Sequence, residues 1–369
     1  MDHTRLKFNR ADQPDFFRVL NRRVNQYFRD KNVSKKANWN MVMKTLFMLS
    51  LYFIPFFFLL SGTITSFWMM LLIWGLMGFG MAGIGLCVMH DANHGSYSTN
   101  NMTNSVVGFI INFMGSFHST WKIQHNVLHH SYTNIEGFDE DTDNPLMRFS
   151  PNRAPSHRFR YQAYYAPFVY CLMSLNRFLI KDFQQILSFS KNGLLAGEGL
   201  SYMAALGQLL FHKIWYILLT IVLPLFLLDF SFVQIIVGFL LMHFICGLIL
   251  ALIFQSAHIL EETEFFNPDE EGRMENNWAI HQLRTTANFA NTSTLFSWLI
   301  GGLNFQIEHH LFPNICHIHY KSLSKIVKST ALEYNLPYHQ HTTFLDALRS
   351  HFVYLDQLGK GEFLSLIHI

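Results

Sequence analysis

Four long apolar runs constrain this chain more than any other feature. Residues 42–62 and 65–89 form two of them, joined by a tight Gly-Thr-Ile-Thr turn, and 212–229 and 232–255 form two more, turning at Leu-Asp229-Phe-Ser. About 20 apolar residues suffice to cross a bilayer as helix. In lipid every backbone N–H and C=O must be satisfied internally, so a single apolar segment crosses as a helix. Half of the 369 residues are apolar and only 14% are charged, against about a quarter in an average soluble domain. The sequence predicts an all-α integral membrane protein: four transmembrane helices as two hairpins, with a cytoplasmic helical domain.

Charge sets the expected orientation. The net charge is only +2, yet residues 1–41 hold ten Lys/Arg against four Asp/Glu. The two turns carry no Lys or Arg, and the three flanking segments carry nearly all of them. The positive-inside rule then places both termini and the long middle segment in the cytoplasm. The basic segment lacks a nucleic-acid reading motif or aromatic platform, which argues against a nucleic-acid partner.

Shorter segments fill in the rest. Phe17, Leu20, Val24 and Phe28 share a helical face within 16–28, interspersed with Arg18, Arg22 and Arg23, and Pro14 and Asp15 suit a first turn. This is a basic amphipathic helix, lying either on the membrane or packed on the cytoplasmic domain. The stretch 105–117 is short for a span and reads as interfacial or re-entrant, as do 161–175 and 286–305. Two amphipathic helices follow, 320–334 ending before Pro337 and 343–358 ending at Gly359. The last eight residues, Glu-Phe-Leu-Ser-Leu-Ile-His-Ile, fit neither pattern. Cys87, Cys171, Cys246 and Cys316 stand alone and read as buried thiols.

Chemistry enters through histidine. Three clusters follow the apolar runs: His90-Asp-Ala-Asn-His94, His125-Asn-Val-Leu-His129-His130 and Gln306-Ile-Glu-His309-His310. Residues four apart share a helical face, so His90/His94 and His125/His129 are chelating pairs, with His130 turned toward a neighbouring ion. His258 emerges from the fourth run as His90 does from the second. Imidazole is the commonest protein ligand for transition metals. A structural zinc takes four ligands. Eight histidines without a clustered cysteine exceed that and suit two ions. Asp91, Glu262 and Glu308 adjoin the histidines and are placed to accept their second N–H groups. Gln306, Gln255 and His281 are further candidates.

The three boxes, their order and their placement around two apolar hairpins resemble the membrane fatty acid desaturases, from about residue 40 to 330. Asn-Phe-Gln-Ile-Glu-His-His-Leu-Phe-Pro is similar to the third box of the front-end (linoleoyl-CoA-type) members, and His258 matches the extra histidine from their fourth span. The His-Pro-Gly-Gly mark of a fused haem domain is absent. The resemblance implies two iron ions held by His90, His94, His125, His129, His130, His258, His309 and His310, with no catalytic side chain beyond them. It implies O2 as co-substrate, an acyl-CoA or acyl-lipid substrate, and a separate donor, a ferredoxin or a b-type cytochrome with its reductase. The expected product is a cis double bond. A lipid hydroxylase or ketolase on the same scaffold is the alternative. The chain then divides into a basic segment 1–41, a membrane and catalytic domain 42–330 and a C-terminal helical segment 331–369.

A metal or proton transporter would need ionisable residues along its spans, which are nearly free of them. Glycines 75, 78, 80, 83 and 85 read as close helix packing, or else as room for an acyl tunnel. His118, His281, His317 and His319 read as satisfied polar residues more readily than as ligands. His243 reads as a hydrogen bond between helices. The acidic run Asp139-Glu140-Asp141-Thr-Asp143 reads as a solvated loop, or else as part of a substrate or donor entrance. The basic N-terminal surface suits an acidic redox partner, a headgroup or anionic lipid equally.

Overall fold

A computed structural model describes residues 6–362, so the C-terminal tail beyond Glu362 lies outside the described residues. Helix dominates. Among the described residues four helices are long and apolar enough to cross a membrane: α2 (Trp39–Leu60), α3 (Phe67–Asn93), α6 (Tyr202–Leu227) and α7 (Phe232–His258). The third begins ten residues before its apolar run, because Ser201 caps its start by accepting from the Ala204 N–H at 3.3 Å. The chain divides into two compact units, one of residues 38–123 and 167–251, the other of 1–37, 124–166 and 252–369.

The first unit holds α2, α3, α6 and most of α7. Asn38 caps α2 through the Met41 N–H at 3.2 Å. Close approach of the helices explains the glycines. A Cβ at Gly80 would lie 2.6 Å from the backbone nitrogen of Tyr52, and one at Gly78 2.7 Å from the Met242 carbonyl. Gly83 instead faces the side chain of Met48. Gly75 and Gly85 have ordinary contacts, at 3.5 and 3.4 Å. The helix α4 (Asn101–Phe109) and a 3-10 turn cover 101–114, ending at Gly115 with φ +76°. His243 bridges helices as expected, its Nδ1 3.0 Å from Ser174 Oγ and its Nε2 2.9 Å from Tyr216 OH.

Two lysines are among the few ionisable residues of the spans. Lys44 and Lys213 are both buried. Lys213 Nζ lies 2.6 Å from Asp182 Oδ2 and 2.6 Å from the Gly115 carbonyl. Asp182 is wholly buried and accepts also from Arg177 at 3.1 Å, Thr120 at 2.8 Å and the Phe117 N–H at 3.0 Å. Desolvation makes such a cluster tolerable only when every lone pair is used.

The second unit is built on α1 (Asp15–Lys31), α8 (Trp278–Thr285), α9 (Gln306–Leu311) and α10 (Tyr320–Glu333). The buried face of α1 is Phe16, Leu20, Val24 and Phe28, packed with Ala279, Leu283, Leu323 and Val327. The packed alternative therefore holds: this apolar face is consumed by the protein. Phe17 sits one position off the face, against Trp278 and Phe312. Helix α1 ends at Asn32, whose φ of 50° is left-handed.

Two small sheets qualify the all-helical expectation. Strands β1 (Asp143–Asn144) and β2 (Met147–Arg148) pair antiparallel. Strands β3 (Ala287–Phe289) and β4 (His339–His341) pair parallel, Ala287 opposite His339. The segment 286–305 is thus a buried strand and the short helix Thr294–Leu299, because Ala287, Asn288 and Phe289 find a ladder partner. The last helix, α11 (Phe344–Lys360), opens with a capping box between Thr343 and Asp346. It runs through Gly359 and stops at Gly361, φ +78°. Gly359 is small because a Cβ there would strike the Phe159 carbonyl.

Candidate metal centre

The first box closes α3. A π-helical segment, Ile84–Met89, precedes His90; such bulges recur at functional sites. His90 is buried, and its ring meets that of His94 at 4.8 Å and that of Trp121 at 5.7 Å. Its Nδ1 lies 3.8 Å from Asp91 Oδ1.

The second box lies on α5 (residues 118–132), whose middle, Ile123–His129, is π-helical. That changes which histidines meet. In a π-helix the partner is five residues on, and His125 Nε2 lies 3.3 Å from His130 Nε2. His130 Nε2 is 2.9 Å from His309 Nε2. His129 turns instead to His258 and His310, with one ligand atom of each within 4.8 Å of the others. The expected His125/His129 pair is thus divided between two groups.

Each ring of the triad is held from behind by a different acceptor. His129 Nδ1 lies 3.1 Å from Asp139 Oδ2, His258 Nδ1 3.2 Å from the Thr285 carbonyl, and His310 Nδ1 2.9 Å from Gln282 Oε1. A carboxylate, a carbonyl and an amide oxygen only accept, so each ring carries its proton on Nδ1 and turns Nε2 inward. The His258 Nε2 is buried without a hydrogen-bond partner. Three all-imidazole donors so oriented fit a transition-metal ion.

Asp139 corrects the solvated-loop reading of the acidic run. It is 1% exposed, accepting also from the Asn134 and Asp141 N–H groups at 3.0 and 3.1 Å. Asp143, by contrast, has a side chain 79% exposed. Asn134 adds a tie to the end of α7, donating to the His258 carbonyl at 2.9 Å. The sequence reading marks neither Gln282 nor Thr133, whose hydroxyl donates to Gln282 Oε1 at 3.0 Å, and it takes Asp139 only as part of the acidic run, since nothing in their spacing points them at a histidine.

The other candidates find different work. His281 donates Nε2–H to the Thr133 carbonyl at 2.7 Å, its ring between Phe8 and Phe266. Burial pulls it down to about 4. Gln306 is buried close to His258. Gln255 is buried with an unpartnered amide oxygen. Glu262 pairs with His341 and accepts from Ser350 at 3.2 Å. Glu308 is pushed up to about 7 by burial, against the hydrogen bonds from Asn288 and Tyr338. His118 contacts Asn112 at 3.1 Å, and His319 packs its ring on Phe28 at 5.0 Å. His317 is buried against Gly302.

Comparison with known proteins gives the family. The profile of the fatty acid desaturase family matches residues 66–342. This chain belongs to the fatty acid desaturase family. It is 36% identical to an sn-1 linoleoyl-lipid 6-desaturase of Synechocystis, over 97% of this chain and 99% of that one. It is 32% identical to an acyl-lipid (8-3)-desaturase of Physcomitrium patens, covering 97% of this chain and 74% of the relative. A second linoleoyl-lipid 6-desaturase, from Arthrospira platensis, is 33% identical over 97% and 96%. The desaturase is therefore a membrane oxidoreductase acting on fatty acyl chains.

Proposed function

We propose that this desaturase is a di-iron, O2-dependent enzyme that places a cis double bond in the acyl chain of a membrane lipid. The bond lies between an existing double bond and the carboxyl end. The relatives named as acting on linoleoyl-lipid and acyl-lipid support the substrate class. Gln306 at the head of the third box supports the front-end position. The observation that carries the reading is the convergence of His129, His258 and His310, each braced at Nδ1 by its own acceptor. Histidines with a merely structural role have no need of such a shared orientation.

His90, His94, His125, His129, His130, His258, His309 and His310 would hold two irons, which would activate O2 as the oxidant. The protein's own residues orient and exclude water. Asp139, Thr285 and Gln282 fix the ring tautomers, and burial keeps the imidazoles dry. Reduction of O2 to two waters takes four electrons. Converting CH2–CH2 to CH=CH gives two, with two protons. The remaining two electrons come from a separate donor, a ferredoxin or a b-type cytochrome with its reductase, and the remaining two protons from solvent. The charge pattern supports two hairpins with both termini and the histidines on the cytoplasmic side.

The test is the fatty acid profile of a host expressing the chain, with His129→Ala as control and mass spectrometry to locate the new bond. A double bond on the carboxyl side of an existing one, lost in the control, is expected. A hydroxylated product would overturn the reading in favour of a hydroxylase on the same scaffold.

A further inference from the structure

The third box sits on a very short helix. Helix α9 has six residues, all buried. Isolated helices shorter than about 12 residues are marginal, so the aim of His309 and His310 must come from ties made outside the helix. One is Tyr320, whose OH is 3.2 Å from His309 Nδ1. Another is Gln282, behind His310. A third runs through Glu308, between the backbone of the box and the C-terminal segment.

Glu308 is fully buried, and both its oxygens are taken by neutral donors. Asn288 Nδ2 donates to Oε2 at 2.8 Å, and the Tyr338 hydroxyl donates to Oε1 at 3.0 Å. Asn288 Nδ2 is also 2.8 Å from Tyr338 OH, which closes a three-membered ring of contacts. Asn288 Oδ1 then accepts from the Ile307 N–H at 3.0 Å, so one side chain grips both the backbone and the side chain of the box. Tyr338 is itself fixed. It precedes His339, the first residue of β4, whose pairing with Ala287 brings it beside Asn288. Its ring packs on the core shared by α1, α8 and α10, with Lys328 Nζ over its face, 5.5 Å from the ring centre.

We infer that Tyr338, with Asn288, is a positioning residue for the third histidine box. The hydroxyl holds Glu308, Glu308 holds α9, and α9 aims His309 and His310. The segment after α10 thereby takes part in the metal chemistry without touching it. The inference rests on the proposed role of His309 and His310 as metal ligands.

Tyr338→Phe is the test, since it keeps the ring and deletes one hydroxyl. Iron is added to the apoprotein, and affinity, stoichiometry and Mössbauer spectrum are recorded. Turnover is then measured with reductant consumed per double bond formed. The expected result is iron affinity weaker by about tenfold, the range found when groups behind metal ligands are removed. A changed quadrupole splitting and lower kcat at unchanged acyl KM should accompany it. Asn288→Ala should do the same, and Tyr338→Phe with Glu308→Gln should lose less than the sum of the single losses. If Tyr338→Phe folds poorly, the cycle is completed on Asn288→Ala and Glu308→Gln. A lower melting temperature with wild-type iron affinity, spectrum and coupling ratio would overturn the inference. Wild-type protein that binds no iron would overturn the functional reading instead, so the two failures are distinct.

Discussion

His129 and Asp139 stand back to back, Nδ1 to Oδ2, at 3.1 Å in a site where both side chains are 1% exposed. Ten residues separate them along the chain, and the turn at Asn134, with φ 56°, folds the acidic run back beneath the box. The carboxylate fixes the imidazole tautomer and, with Asp141 Oδ2 3.9 Å from the same nitrogen, brings negative charge to the imidazole site. Asp139→Ala should therefore weaken iron binding by about 10- to 100-fold. Titration of the apoprotein with ferrous ion would show it, and unchanged affinity would remove Asp139 from the centre.

Asp182 anchors the other unit. Its removal takes the carboxylate away from buried Lys213 and from Arg177 beside it. Asp182→Ala should cost about 3–5 kcal/mol. Thermal unfolding in detergent is the measurement. Combining Asp182→Asn with Lys213→Met should recover part of the loss, because it removes charge from both sides. A wild-type melting temperature for Asp182→Ala would refute the assignment.

The glycines of α3 differ in what they tolerate. Gly80→Ala brings a Cβ to 2.6 Å from the Tyr52 backbone nitrogen, an overpacking expected to cost about 1–3 kcal/mol. Gly75→Ala meets only Ile245 Cδ1 at 3.5 Å. It should be neutral, or stabilising by up to about 1 kcal/mol from helix propensity. Equal melting temperatures for the two variants would contradict this packing.

The pair Glu262–His341 gives a pH signature outside the spans. The hydrogen bond and charge of Glu262 raise His341 above its ordinary 6.5. Burial works against ionised Glu262, but the bond and charge of His341 prevail and lower it below 4.5. A raised histidine stabilises fully below its unfolded value and loses the effect as pH climbs through the folded one. A lowered carboxylate stabilises above its unfolded value and loses the effect as pH falls through the folded one. The pair therefore contributes most between about 4.5 and 6.5, and the contribution fades above that. The difference in melting temperature between wild type and His341→Gln, followed from pH 5 to 8, should shrink as pH rises. A constant difference would show that the pair is not charged.

The sequence by itself determined the membrane class, the four spans and the family, because hydropathy and box spacing are local patterns written in consecutive residues. It also gave the helical packing role of Gly78, Gly80 and Gly83 and the interhelical bond of His243. The tertiary structure decided which histidines face one another. Spacing on an α-helix pairs His125 with His129, whereas the π-helical register joins His125 to His130 and sends His129 to His258 and His310. It also decided the supporting residues. Asp139, Gln282, Asn288 and Tyr338 reach their histidines or box across sequence gaps that carry no periodic signal. Only the folded backbone, through the Asn134 turn and the pairing of β3 with β4, brings them within hydrogen-bonding range.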